Sequence, residues 1–438
     1  MTAISAQVPA DSSLIRGVGR WALTAFAINL TVGAGIFGLP AKIQALVGNY
    51  SIIVIAMCGL LIALIALCFA EVASRFDRTG GPQLYASIAF GPAAGFTVGW
   101  LLWISRIGSC AAVSNLLVDY GKVLWPVLNH PGARAAAICL LVSAYTWINI
   151  RGIRQTAAVS TAFTVSKLVP LIAFVIVGLF FIDPQSLQLG PPPALNDLST
   201  GILLAAFAFL GFDATTVLAG EVRDARRAIP FAILLSVSAV IILYTLIQIV
   251  CVGTLPELAG SEHPLADVAS VFVGPWASSA VALAAIVAAA GVFGASMTPA
   301  TRLLFAMADQ RQLPSTLAYV YARFRTPVAA ILVTAVGALI LAVSGSFIYV
   351  VKITLIARVT VYAITCVILP IFRRRKNLPP AAFHVPAGEA IAYLCAMLCF
   401  FFLASSSMRE LLDVALAALV GLSIFWLSRT RNALASPS

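Results

Sequence analysis

The sequence predicts an all-α membrane protein with about 12 transmembrane helices, and three observations support this fold class. The chain has 438 residues, of which 61% are hydrophobic and only 10% charged, and its mean hydropathy is +1.02. Its apolar residues form runs of membrane-spanning length, and its basic residues lie mainly between alternate runs. A soluble domain carries about 25% charged residues, so this composition argues against a soluble enzyme, a disordered protein and a nucleic-acid binder.

Each predicted helix is an apolar run of about the 20 residues that a bilayer requires. The runs cover residues 21–46, 51–73, 93–118, 134–150, 155–182, 199–220, 229–254, 275–307, 327–344, 346–371, 388–406 and 410–428. The longer stretches outside them are a tail to residue 20, a proline-rich stretch at 183–198, an acidic one at 255–274 and a basic one at 372–387. These leave no room for a second, soluble domain, so residues 1–438 are expected to form one transmembrane domain. The first run has no signal-peptide cleavage site.

The basic residues set the expected orientation, because cytoplasmic loops carry an excess of lysine and arginine. If the N-terminus is cytoplasmic, 18 of the 27 basic residues lie on that side, and 3 (Lys122, Arg134 and Arg409) lie in outer loops. The other 6 lie within spans or at their ends. This asymmetry explains the net charge of +11 without nucleic acid. It predicts a multi-pass protein of the cell membrane with both termini in the cytoplasm.

Two of the spans, the first and the sixth, are interrupted by glycine at the same relative place. The first contains the segment GAGIFGLP at residues 33–40, and the sixth contains FLGFD at residues 209–213. Because five spans form each unit, the second unit would enter the membrane from the opposite side, as in an inverted repeat. Freed backbone groups cost several kcal/mol each in lipid, so such breaks indicate a ligand site. The alternative is that these glycines only let helices pack closely.

Four segments, in this order, give the chain its resemblance to a known family. They are GAGIFGLP at 33–40; AEVASRF at 70–76 with TGGP at 79–82; FAFLGFD at 207–213 with GEVR at 220–223 and RAIP at 227–230; and RLLFAMAD at 302–309 with Leu313-Pro314 and Thr326-Pro327. In this the sequence resembles the amino acid–polyamine–organocation (APC) transporters, which have a LeuT-type fold. The resemblance implies a 5+5 inverted repeat with broken helices 1 and 6: residues 21–182, then an inverted second repeat at 199–371. Two further helices follow at 388–428, after the cytoplasmic tail at 1–20.

The resemblance also implies where a substrate would bind. Backbone N–H groups of Gly33, Ala34 and Gly35 would hold a carboxylate. Backbone carbonyls near Phe207, Ala208 and Leu210 would hold an ammonium group. Phe207 stands where the family often places an aromatic lid over the ligand, although an ordinary core aromatic is the alternative.

Charged residues inside spans are costly and therefore indicate function. Lys167 is the only charge between residues 155 and 181. It resembles a lysine that sodium-independent members carry in span 5, so it is expected to bond carbonyls near Gly33 and Ser296 in span 8. Asp213 stands where many members have glutamate, and it is interpreted as a proton carrier, a gate or a structural hydrogen-bond partner. Arg106 in span 3 is a candidate for substrate contact or for pairing with an acid.

Other charges are assigned less directly. Lys352 and Arg358 lie in span 10, and their roles stay open. Charged residues at cytoplasmic span ends are expected to form ion pairs; they are Glu71, Arg75, Arg78, Glu221, Arg223 and Arg227. The eight cysteines lie inside apolar runs without metal-site spacing, so we interpret them as small hydrophobic residues. No cofactor or metal is expected, and the three histidines fall in predicted loops.

The function predicted from these features is secondary active transport of amino acids by alternating access, not catalysis. We expect it to be independent of Na⁺, either proton-coupled or an exchange, with neutral amino acids as substrates and the lipid bilayer as partner. The alternative is an exchanger or exporter of amines, polyamines or cationic amino acids. A membrane sensor or intramembrane enzyme would need a soluble domain or a catalytic constellation, which the sequence lacks. Which amino acid is carried, in which direction, and in what oligomeric state stay open.

Overall fold

The computed structural model describes residues 14–274, 276–344, 347–404 and 406–434. The side chains of Ala34, Phe207 and Lys352 lie outside the described part. The α-helices in chain order are α1 Arg20–Thr31, α2 Leu39–Val47, α3 Ser51–Ala73, α4 Pro82–Phe90, α5 Pro92–Leu124, α6 Pro131–Arg151, α7 Ile153–Gly178, α8 Leu195–Ala208, α9 Ala214–Val217, α10 Ala225–Thr254, α11 Pro264–Val273, α12 Ala277–Asp309, α13 Val328–Ser344, α14 Phe347–Arg374, α15 Gly388–Ala404 and α16 Met408–Leu434.

Every predicted span corresponds to helix in the structure, which confirms the all-helical, multi-span fold class. Among the described residues, 8 helical segments are long and apolar enough to cross a membrane, and 4 shorter helices are apolar. The outer faces of the bundle carry large exposed apolar side chains, such as Leu140, Trp147 and Met57. Such a surface fits a lipid environment, because large exposed apolar patches are rare on soluble proteins.

Spans 1 and 6 are both interrupted, as the glycines predict. Span 1 consists of α1 and α2, joined by a short 3₁₀ helix at Ala34–Phe37. Span 6 consists of α8 and the single turn α9, which is followed by a 3₁₀ turn at Ala219–Glu221. The boundaries of the two repeats stay a prediction.

Two short helices occur in stretches that the sequence reading placed outside the spans. They are α4, which follows Gly81, and α11, which lies in the acidic stretch at 255–274. Each begins with proline at its first turn, where the missing N–H costs nothing. Both helices have about ten residues, which is too short to form an apolar run of membrane-spanning length.

The packing of the long helices places both breaks in the interior. The first half of span 1, α1, packs against α7, α10 and α12. Helix α5 packs extensively against α12, and α14 packs against α5, α3 and α15. Residues on α5, α7, α10 and α14 therefore reach the broken segments from several sides.

Candidate functional site at the two broken helices

The break in span 1 exposes backbone groups at both of its ends. Helix α1 ends at Thr31, and Gly33 is extended, with φ −96° and ψ −171°. The chain then starts a new short helix at Ala34, and the first N–H groups of a helix have no acceptor within it. The amides of Ala34 and Gly35 are therefore the ones presented for an external acceptor.

Gly33 differs from the expectation. Its N–H donates to the carbonyl oxygen of Thr31 at 2.9 Å, so it is already bonded within the broken segment. The reason is the tight turn that the chain makes as it leaves α1. Of the three amides expected to hold a carboxylate, this leaves two at the start of the 3₁₀ helix.

Lys167 closes the carbonyl end of the same break. It is fully buried on α7, and its Nζ atom donates to the carbonyl oxygens of Asn29 at 2.6 Å and Val32 at 2.7 Å. The hydroxyl of Tyr244, on α10, donates to the carbonyl of Thr31 at 3.1 Å. The last carbonyls of a helix lack partners within it, and its C-terminal end favours a cation. The expected contact of Lys167 with carbonyls near Gly33 is present.

The expected bond from Lys167 to Ser296 is absent, and that expectation is corrected. The Oγ atom of Ser296 is buried on α12, yet it has no hydrogen-bond partner among the described residues. Lys167 instead directs its ammonium group at the two carbonyls of span 1, where the end of α1 concentrates partial negative charge.

The break in span 6 packs directly on the backbone of span 1. Gly211 has φ +136°, a conformation that L side chains rarely adopt. A Cβ atom built on it would lie 3.0 Å from Cγ of Leu30 and 3.1 Å from the Leu30 carbonyl carbon and oxygen. Glycine is therefore required here for both reasons weighed from the sequence: the chain leaves its helix, and the two segments approach closely. Ala208 and Leu210 are buried beside this turn.

Asp213, two residues after that glycine, accepts bonds on both carboxylate oxygens. The Nη2 atom of Arg106, from α5, donates to Oδ2, and the hydroxyl of Tyr362, from α14, donates to Oδ1 at 2.7 Å. Arg106 and Asp213 are both fully buried. Of the roles weighed for Arg106, pairing with an acid is the one seen here. The contact joins spans 3, 6 and 10 at the second break.

A second guanidinium group lies close to this pair. Arg358, one turn before Tyr362 on α14, donates from Nη2 to the Ser109 hydroxyl at 3.3 Å. The Nε atom of Arg358 and the Nε and Nη1 atoms of Arg106 are buried, with no partner among the described residues. The region between α5 and α14 thus holds two guanidinium groups around one carboxylate.

Buried ion pairs join the span ends at one end of the bundle, as the charged residues there predict. Arg302 on α12 holds Glu221 with two bonds of 3.0 Å. Arg373 at the end of α14 holds Glu71 with two bonds of 2.7 Å. Arg75 lies farther from Glu71, with 4.0 Å between its Nη2 atom and the carboxylate. The arginine partners come from distant spans, so the sequence could not have paired them.

The same end of the bundle is sealed by backbone contacts. The amide of Val18 donates to the carbonyl of Glu221 at 3.1 Å, and the amide of Arg223 donates to the carbonyl of Val18 at 2.9 Å. Gly81, with φ +55°, lies so close to Thr216 that a Cβ atom would be 2.5 Å from its Oγ1. The N-terminal segment and the turn before α4 therefore close over the second half of span 6.

Sequence reasoning missed several residues that complete the site. Tyr362 and Tyr244 hold the two broken segments, and Asn29 supplies a carbonyl to Lys167 while its side chain donates to Ser160 at 2.8 Å. Tyr362 follows Arg358 by four residues and so shares its helix face. That spacing was the available signal.

Comparison with known proteins assigns the chain to a family. A family model described as amino acid permease matches residues 18–422. The chain belongs to the amino acid permease family. It is therefore a multi-pass membrane transporter by family, and the resemblance to APC transporters is confirmed.

Three relatives match this permease over almost its whole length. The methylthioribose transporter of Bacillus subtilis (strain 168) is 25% identical over 443 residues, covering 97% of this chain and 95% of that protein. The branched-chain amino acid permease BcaP of the same bacterium is 25% identical over 438 residues, covering 95% and 94%. Its serine/threonine exchanger SteT is 25% identical over 425 residues, covering 94% and 96%.

Proposed function

We propose that this permease carries α-amino acids with neutral side chains across the cell membrane by alternating access, without Na⁺. Transport is either linked to protons or runs by exchange, and both termini lie in the cytoplasm. The observation that carries the proposal is the ammonium group of Lys167, which lies on the carbonyls that end the first half of span 1.

The two breaks suit the two charges of an amino acid. The amides of Ala34 and Gly35 begin a helix and favour a carboxylate, because a helix N-terminus carries partial positive charge. The carbonyls at the end of α8, near Ala208 and Leu210, favour an ammonium group for the opposite reason. Phe207, at the end of the same helix, is proposed to cover the bound ligand.

The charges around the second break favour neutral over cationic side chains. Asp213 is the acid beside this break, and Arg106 and Tyr362 already occupy both of its oxygens. Arg358 adds a further positive charge nearby. A cationic side chain would meet repulsion there, since like charges interact strongly where water is excluded. Two of the relatives, the branched-chain permease and the serine/threonine exchanger, are named for neutral amino acids.

The position of Lys167 supports the proposed independence of Na⁺. An ammonium group on the carbonyls of Asn29 and Val32 supplies the positive charge that a bound Na⁺ would otherwise bring. Proton linkage and exchange are both compatible with this arrangement, because neither requires a bound Na⁺.

A second candidate substrate class comes from one relative. The methylthioribose transporter covers as much of the chain as the amino acid carriers do, and a methylthio sugar has neither a carboxylate nor an ammonium group. For such a substrate the amides of Ala34 and Gly35 would hold hydroxyl groups instead. Uptake experiments separate the two classes.

Uptake into proteoliposomes tests the proposal. Purified protein would be reconstituted into liposomes that contain unlabelled substrate. A panel of radiolabelled neutral, cationic and acidic amino acids would be added outside, with Na⁺ replaced by choline. We expect accumulation of one or more neutral amino acids. Uptake of radiolabelled methylthioribose but of no amino acid would assign the second class, and strict dependence on Na⁺ would contradict the coupling.

A further inference from the structure

Three cysteines from three different spans meet in the interior of the bundle. They are Cys68 on α3, Cys366 on α14 and Cys395 on α15, and their Sγ atoms all lie within 4.8 Å of one another. All three are fully buried, and all are free thiols. Cys399, also buried, follows Cys395 by one helical turn. The other cysteines, Cys58, Cys110, Cys139 and Cys251, are not part of this group.

We propose that this cysteine cluster, Cys68, Cys366 and Cys395, is a binding site for a soft monovalent metal ion such as Cu(I). Thiolate sulfur is the ligand that selects soft ions. Metal–thiolate bonds of about 2.3 Å in a trigonal arrangement place the sulfurs about 4 Å apart, which is within the observed limit. Binding releases one thiol proton to solvent, so one Cu(I), one thiolate and two thiols together carry no net charge, as an apolar interior requires.

The surroundings favour this ion over zinc. Structural zinc takes four ligands, usually in a tetrahedron, whereas among the described residues only three sulfurs lie within 4.8 Å of one another here and Cys399 is not one of them. The nearest acid on α3, Glu71, is bound to Arg373 by two bonds of 2.7 Å and to the Val385 amide at 2.8 Å. Its oxygens are therefore committed elsewhere, and three sulfurs without this carboxylate suit a three-coordinate monovalent ion such as Cu(I) better than Zn²⁺.

The position of the cluster connects it to the second break. Cys366 follows Tyr362 by one turn of α14, and Tyr362 bonds Asp213. Phe69, next to Cys68, packs against both Tyr362 and Phe212, with ring centroids 5.2 and 5.4 Å away. An ion held by all three sulfurs ties α14 to α3 and α15. It therefore holds Tyr362 in place, and bound Cu(I) is expected to slow the conformational cycle. This last step rests on the proposed function, whereas binding itself does not.

Direct titration tests the site without any transport assay. The purified full chain, kept reduced and free of oxygen in detergent, would compete for Cu(I) with a chromogenic chelator. We expect one Cu(I) per chain. The change Cys366→Ser should weaken binding by more than about tenfold, the scale on which even changes outside the ligand set act. Cys251→Ser, which removes a buried cysteine outside the cluster, should bind as wild type.

Two further measurements keep the test decisive. Size-exclusion profiles show whether each variant folds, and Cys68→Ala or Cys395→Ala replaces Cys366→Ser if that protein aggregates. X-ray absorption of the loaded protein should show sulfur alone as the metal's ligands. No competition with the chelator, equal binding by the cluster variants, or nitrogen and oxygen ligands would each overturn the site. Inhibition of uptake by Cu(I), absent in the cluster variants, would establish the link to transport.

Discussion

The Nζ atom of Lys167 lies 2.7 Å from the carbonyl oxygen of Val32, the residue at which the first half of span 1 ends. The same atom bonds the carbonyl of Asn29 one turn earlier, at 2.6 Å. A cation contributed by span 5 thus stabilises a backbone segment that lipid could not solvate. The break in span 1 and the charge in span 5 therefore depend on each other: the carbonyls need a donor, and the buried cation needs acceptors.

Replacement of this lysine is expected to stop transport. In Lys167→Ala the carbonyls of Asn29 and Val32 lose their donor, and each unsatisfied buried group costs about 1–3 kcal/mol. We expect uptake to fall by more than about tenfold, which corresponds to an increase of about 1.4 kcal/mol in the activation free energy. Uptake into proteoliposomes with Na⁺ or choline measures both the loss and the sodium independence of the wild type.

The neighbouring serine provides the matched control. Ser166 is exposed, and its hydroxyl donates to the carbonyl of Ala162, one turn earlier on its own helix, with no other partner in the described part of the chain. Ser166→Ala should therefore transport as wild type. Full activity in Lys167→Ala would leave the lysine without a coupling role.

A second prediction concerns the contact between the two breaks. In Gly211→Ala the new Cβ atom meets Leu30 at 3.0 Å, at a φ of +136°. Overpacking of this kind costs about 1–3 kcal/mol, so both the unfolding temperature and uptake should fall. The control is Gly38→Ala in the other break, because a Cβ atom there has nothing within 4 Å and φ is −124°. Equal stability of the two variants would show that the close approach is not required.

The breaks themselves could be predicted from the sequence, whereas their partners could not. Glycine and proline at 33–40 end a helix by local chemistry alone. The bond from Tyr362 to Asp213, by contrast, depends on how α14 packs across α5 and span 6, which no local pattern records. The same holds for the cysteine cluster, in which Cys68 lies about 300 residues before Cys366 in the chain.

The error at Ser296 has a related origin. That bond was expected because Lys167 resembles the span 5 lysine of sodium-independent family members, and no local pattern around Ser296 supported it. Three-dimensional packing decides instead which group faces the ammonium, and the two carbonyls of span 1 do so. Depth in the membrane can be predicted from sequence more readily than direction around a helix.

The carboxylate site can be tested at the start of the short helix. Gly35→Val should abolish amino acid binding while the protein still inserts, because a β-branched side chain hinders the close backbone approach that glycine allows. The thermal shift caused by the preferred substrate measures binding by mass action. Gly33→Ala should be milder, since its nearest contact would be Val292 at an ordinary 3.7 Å. If the thermal shift is unchanged in Gly35→Val, the substrate carboxylate does not bind at this position.

The proposed lid is tested by Phe207→Ala. If the ring covers the ligand and excludes water, the variant should lose uptake while its unfolding temperature changes little. A core aromatic would behave in the opposite way, because Phe→Ala in a packed interior costs about 3–5 kcal/mol. Uptake equal to wild type would place the lid elsewhere.

The buried pair of Arg106 and Asp213 makes the strongest energetic prediction. Removing one partner leaves the other charge buried without compensation, which costs about 3–5 kcal/mol. Both Arg106→Met and Asp213→Asn should therefore unfold at much lower temperature than wild type in detergent. Because the penalty in each single variant comes from the stranded partner, the double variant should be less unstable than the sum of the two, with a coupling energy of about 1–3 kcal/mol.

An exposed ion pair provides the reference for this comparison of single and double variants. Arg16 and Asp77 lie 3.3 Å apart with about half of each side chain exposed, and such pairs contribute about 1 kcal/mol or less. The cycle of Arg16→Ala and Asp77→Asn should therefore show little coupling. If the buried pair couples no more strongly than this one, Arg106 and Asp213 do not depend on each other for stability. Their role would then have to be sought in substrate contact, where uptake by Arg106→Met, measured at matched amounts of folded protein, gives the answer.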